Sequence, residues 1–185
     1  MGILLCFAPY IAFALVSGVS ISLGLWLAFA AAFVITVRDF VESPTLRLLD
    51  AGSLVLFAGL ALFSGFIEPG LSIQAARLAA DGSFLVMAID SLLLRRPMTL
   101  EYGHEHLPAD IAASPRFLRI HYVLTAAWGL AFAVMSVADT ATILHPQLPL
   151  SLDLAAGLAI LGFAIALTLR YPAGLLNAKN VRSRR

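Results

Sequence analysis

Long apolar segments alternate with short polar gaps along this chain, and the basic residues fall almost wholly in every second gap. No other feature constrains the fold as tightly. Hydrophobic residues make up 61% of the sequence and charged residues 12%, with a mean hydropathy of +0.93, whereas a soluble domain carries about 25% charged residues. So few polar groups cannot cover a water-facing surface. The composition predicts an all-α polytopic membrane bundle forming one domain.

A spanning helix needs about 20 apolar residues, with a range of roughly 17–25. Ile3 to Val37 is uncharged for 35 residues, too long for one span and enough for two short ones. The break falls at Ser17-Gly18-Val19-Ser20, the small and polar cluster in that run. Six transmembrane helices follow, at about 3–18, 20–37, 51–67, 73–94, 120–138 and 154–169. Glu68-Pro69-Gly70 stops the third, and Asp139 with His145-Pro146 marks the exit of the fifth. Residues 1–172 form the membrane domain, and 173–185 a basic tail.

Of the 12 Lys and Arg residues, all but Arg77 lie between helices 2 and 3, between helices 4 and 5, or after helix 6. The positive-inside rule places those gaps and both termini in the cytoplasm. Trp26, Tyr122 and Tyr171 lie near span ends, where interfacial aromatics belong, while Trp128 is deeper and reads as a packing residue. The preference for Arg over Lys, with abundant Ala and Leu, suggests a bacterial protein, hence a multi-pass protein of the cytoplasmic (inner) membrane. Cys6 is the single cysteine, so no internal disulfide is available. The segment that contains it lacks a basic n-region and is expected to stay as a membrane helix.

A short echo links Ser43-Pro44-x-Leu46-Arg47 with Ser114-Pro115-x-x-Leu118-Arg119, and Gly59-Leu60-Ala61 with Gly129-Leu130-Ala131. It would make helix pairs 2–3 and 4–5 a parallel repeat, as in some transporters.

Charges within a span are costly, and they are candidates for function. Arg77 and Asp81 are four apart on helix 4 and can pair near the outer interface. Asp90 lies on the opposite face, about one turn from the cytoplasmic end. A carboxylate there should seek a cationic partner in the bundle; Arg119, His121 and Arg38 are the candidates. Asp90 then acts either as a lock between helices 4 and 5 or as a proton- or substrate-linked group. On the first reading, Asp90→Asn lowers thermal stability.

The gap after helix 4 begins Arg95-Arg96-Pro97-Met98-Thr99-Leu100-Glu101-Tyr102 and continues Gly103-His104-Glu105-His106-Leu107-Pro108. Leu100, Gly103, His104 and Leu107 share a helical face, which predicts an amphipathic interfacial segment with Thr99 as its N-cap. His104 and His106 point apart on a helix, so no metal site is expected there. No Ser/His/Asp set, metalloprotease helix or phosphate loop is present. Neither catalytic residues nor a cofactor are therefore assigned, and the protein reads as non-enzymatic.

Arg96-Pro97-Met98-Thr99-Leu100-x-Tyr102-x-x-Glu105, then Ser114-Pro115-x-Phe117-Leu118-Arg119 and Ala127-Trp128-Gly129-Leu130-Ala131-Phe132, carry a resemblance over about residues 90–135. The chain here resembles bacterial integral membrane proteins similar to intracellular septation protein A. That resemblance implies a small inner-membrane protein concerned with the cell envelope and septation, with Arg96, Pro97, Thr99, Tyr102 and Glu105 as its loop motif. The expected function is a non-enzymatic envelope role through membrane or division-protein partners, with the lipid bilayer as solvent, no nucleic acid and a possible homo-oligomer. The alternative is a small transporter or channel built on Asp90.

Overall fold

The structure, a computed structural model, describes residues 5–42, 47–102 and 114–182, and the side chains of these except Leu150 and residues 172–182. The described residues form six helices: α1 (Ala8–Val16), α2 (Ile21–Glu42), α3 (Leu48–Leu62, running on as a π-helical turn over Phe63–Ile67), α4 (Ile73–Leu93), α5 (Pro115–Leu144) and α6 (Leu150–Arg182). Four stretches are long and apolar enough to cross a membrane: Ile21–Glu42, Leu48–Ile67, Pro115–Leu144 and Ser151–Tyr171. Successive helices pack as neighbours, and α4 against α5 is the most extensive contact.

The helices start and stop where local chemistry dictates. The Ser72 hydroxyl accepts from the Ala75 N–H to cap α4, and Ser114 does the same from Phe117 N–H to cap α5, with Pro115 in the first turn. At the other end of α4, Arg95 takes a left-handed conformation, φ 56°. Its N–H reaches Leu92 C=O while Arg96 N–H reaches Ser91 C=O at 2.9 Å. This is a Schellman closure, which usually takes glycine. It turns the chain back so that Pro97, Met98 and Thr99 enter the bundle.

Each helix buries one stripe. On α4 the stripe is Ala76, Arg77, Ala80, Asp81, Phe84, Ala88 and Ser91; on α5 it includes His121, Thr125, Trp128, Phe132, Met135 and Asp139. Small residues bring the helices close, as they do in lipid. A Cβ added at Gly129 would sit 3.3 Å from that of Ala88, and one at Gly52 only 2.2 Å from Met87 Sδ. By contrast Gly59, matched with Gly129 in the sequence echo, has nothing within 4 Å. Ser43 and Pro44 of that echo lie outside the described residues.

The centre is aromatic. Phe7 stacks on Trp128 with centroids 3.8 Å apart, and Phe84 stacks on Phe132 at 5.1 Å. Tyr10 meets both Phe84 and Phe132 edge-on at 5.3 Å. The Trp128 indole N–H donates to Thr168 Oγ1 at 3.0 Å, tying α5 to α6. Outward, Phe66, Phe163, Val55, Val137 and Leu169 are exposed, a spread of apolar surface that suits lipid rather than water.

Most expected boundaries shift: the first helix is only Ala8–Val16, the second runs on to Glu42 and the third starts at Leu48, and the largest changes are in the last two. The fifth helix continues past Asp139 to Leu144, so Asp139 is a fully buried helix residue and not an exit marker. The sixth extends from Leu150 through Arg182, so most of the basic tail prolongs that helix. In both cases the helix outlasts its apolar segment, because backbone hydrogen bonding does not stop where hydropathy falls.

Candidate functional site

Two buried polar clusters flank the aromatic centre. The first joins α1, α4, α5 and α6. Arg77 and Asp81 lie one turn apart on the buried stripe of α4. Asp139 comes from the end of the α5 stripe, and Asp153 from the first turn of α6. Arg77 Nε donates to Asp139 Oδ1 at 3.3 Å and lies 3.6 Å from Asp153 Oδ2. Tyr10, from α1, donates its phenol proton to Asp81 Oδ1 at 2.5 Å and also lies 3.6 Å from Met135 Sδ. Asp81 and Asp139 thus belong to one enclosed cluster, linked through Tyr10, Met135 and Arg77.

This cluster is deeply enclosed: Asp81 and Asp139 are 0% exposed, and Arg77 and Asp153 5%. One guanidinium faces two carboxylates, with Asp81 one turn along α4. Asp81 Oδ2 and Asp139 Oδ2 are buried with no hydrogen-bond donor among the described residues, and Asp153 Oδ2 has only the long contact with Arg77. Native interiors rarely leave such atoms, and each calls for an explanation. Helix α6 is shaped for the guanidinium: a Cβ at Gly157, one turn after Asp153, would lie 2.5 Å from Arg77 Nη2.

The second cluster, beyond the aromatics, joins the ends of α2 and α3 to the turn after α4. Asp39 accepts from Arg47 Nη1 at 2.9 Å and from Arg38 Nε at 2.7 Å. Tyr102 donates to Asp50 Oδ1 at 2.8 Å, beneath the Arg47 guanidinium, which lies 4.9 Å from its ring centroid. Burial, above all, holds the Tyr102 phenol well above its ordinary pKa, so it stays a neutral donor. Glu101 Oε2 accepts from Leu48 N–H at 3.0 Å, placing a carboxylate at the N-terminus of α3. Thr99 Oγ1 donates to His121 C=O at 3.1 Å and lies 3.0 Å from Thr125 Oγ1 and 3.1 Å from His121 Nδ1.

The residues singled out in the sequence divide between these places. Arg77 and Asp81 share the first cluster, but Arg77 pairs with Asp139 and Asp153 while Asp81 is held by Tyr10. Asp90, expected to face the bundle, is exposed on the outer side of α4, and forms no ion pair among the described residues. Its expected partners are elsewhere: Arg119 is exposed, His121 is buried beside Thr99, and Arg38 pairs with Asp39. Thr99 is no N-cap; it packs on α5 within a run of turns, 0% exposed. Pro97 and Tyr102 are likewise buried while Arg96 is exposed. Glu105, His104 and His106 lie outside the described residues.

Sequence reasoning missed Tyr10, Asp153 and the grouping of Asp39, Arg47 and Asp50 with Tyr102, and took Asp139 for an exit marker. One signal was available: Asp139 follows Phe132 by seven residues, on the same helical stripe. Among the described residues no three His, Cys, Asp or Glu side chains could hold a metal ion together. Compared with known proteins, the chain matches no family model, no curated protein and no solved structure.

Proposed function

We propose that the chain is a six-span membrane protein with both termini cytoplasmic, and that it is a small transporter moving protons or small cations through its buried carboxylate cluster. One observation carries this reading: two buried carboxylates share a single guanidinium, a third lies one turn from it on α4, and Asp81 and Asp139 each keep an oxygen with no donor among the described residues. Ionisable groups at membrane depth are expensive, roughly 2.5–3.5 kcal/mol each at a span centre, and characteristically line ion pathways. A purely structural charge group would have its buried acceptors satisfied, as Asp39 and Asp50 are. The working group is thus Asp81, Asp139, Asp153 and Arg77, in place of Asp90.

The lysine and arginine distribution supports the topology, with α4 and the apolar segment that contains α1 as the two spans added to the four long apolar stretches. The sequence bias supports the bacterial inner membrane. In proteoliposomes under an imposed potential, the wild-type protein is expected to carry protons or monovalent cations, and Asp139→Asn to abolish that flux. A folded wild type that carries neither ends the transport reading.

A non-enzymatic envelope role through protein partners is supported by a different feature. Arg95, Arg96 and Arg119 stand exposed around the turn that bears the septation-like motif. Crosslinking from those positions in cells is expected to capture a division or wall-synthesis protein; capture of none counts against it.

A further inference from the structure

The four-helix carboxylate cluster leaves open which cation it holds, and its geometry distinguishes among them. We propose that Asp81 and Asp139 form a carboxyl–carboxylate pair holding one exchangeable proton, gated by Tyr10 and Arg77. This rests on the transport reading and names its coupling ion.

Two buried carboxylates in one enclosed cluster, each with an oxygen that lacks a donor among the described residues, need a proton or a cation. Each of these groups has one oxygen already engaged, Asp81 Oδ1 by the Tyr10 phenol and Asp139 Oδ1 by Arg77 Nε. Each has its other oxygen buried with no donor among the described residues. A proton on one carboxyl supplies the missing donor. A metal ion is the poorer occupant, since no three acidic, His or Cys side chains among the described residues converge on one point. The wall around the pair is also apolar and tight, with Phe84 and Phe132 packed edge-to-face against Tyr10.

Every helix that bears on the pair contributes an ionisable group: Tyr10 from α1, Arg77 from α4 itself and Asp153 from α6. Release breaks one O–H bond, leaves its electron pair on the carboxylate and passes the proton to water. The pair then carries two negative charges beside Arg77, which already lies between Asp139 and Asp153 at 3.3 and 3.6 Å. Moving wholly to the Asp81–Asp139 pair lets the guanidinium offset the added charge, at the expense of its contact with α6. Proton release is thereby coupled to how α6 sits on α4, through the cleft that Gly157 leaves for Arg77. On uptake the guanidinium returns to Asp153.

Infrared difference spectroscopy of the purified protein in lipid, with pH as the perturbation and repeated in heavy water, reads the proton directly. The proposal expects a carboxylic-acid C=O band that shifts on deuteration, disappears in Asp81→Asn and in Asp139→Asn, and moves in frequency in Tyr10→Phe, which keeps the ring but removes the phenol donor. A wild type with no such band, or a band untouched by all three substitutions, overturns it. In that case cation flux in proteoliposomes still tests the transport reading on its own, because a cluster that binds another cation gives flux without the band.

Discussion

The two buried clusters are made of similar parts and differ in how they are satisfied. Around Asp39, two arginines serve one carboxylate, and Asp50 receives a phenol. Around Arg77, one arginine serves two carboxylates, the neighbouring Asp81 has only a phenol, and the second oxygens of Asp81 and Asp139 lack donors among the described residues. A satisfied network fixes a structure, and a half-satisfied one costs stability. Such a cost persists where function requires it. The balanced cluster therefore reads as the clamp that seats the turn 97–102 on α3 and α5, and the unbalanced one as the working site.

That contrast can be broken most directly at the two buried arginines. Arg77→Leu leaves Asp139 and Asp153 without their cation and is expected to cost about 3–5 kcal/mol. Arg47→Leu leaves Asp39 paired with Arg38 and removes the cation over Tyr102, a loss of about 1–2 kcal/mol. Thermal unfolding in one detergent ranks them, and equal losses would erase the asymmetry. Next comes the turn itself: Thr99→Val takes hydroxyl contacts from His121 and Thr125 and is expected to cost about 1–3 kcal/mol. It should also leave flux through the other cluster intact, which separates clamp from site. The smallest effect belongs to Asp90→Asn. Exposed and without an ion pair among the described residues, Asp90 should change stability by no more than about 0.5 kcal/mol. A larger fall in melting temperature would restore it as a lock.

Helix number and order were legible because hydropathy and helix stops act locally. Which face of α4 turns inward was not read correctly, although Ala76, Ala80 and Ala88 mark one face as small and Val86, Ile89 and Leu93 mark the other as large and exposed. Small residues face helices and large apolar ones face lipid, so the stripe places Arg77 and Asp81 inside and Asp90 outside. The site as a whole was beyond local reading. Tyr10, Asp81, Asp139 and Asp153 are separated by up to 143 positions (153 minus 10) and meet only through packing. The loop motif was visible as a cluster of unusual residues. Its inward turn depends on Arg95 taking a left-handed conformation, which an arginine does not announce.

Asp81→Asn tests the central claim most directly, measured as melting temperature beside Asp39→Asn. Asparagine at position 81 keeps an oxygen for Tyr10 and brings an N–H donor into the cluster, so it mimics the proton-bearing state. The account predicts a melting temperature equal to or above wild type for Asp81→Asn, against a clear drop for Asp39→Asn, which removes the charge of the buried carboxylate that pairs with both Arg47 and Arg38. A drop for Asp81→Asn as large as that for Asp39→Asn would show the two clusters to be equally structural and would contradict it.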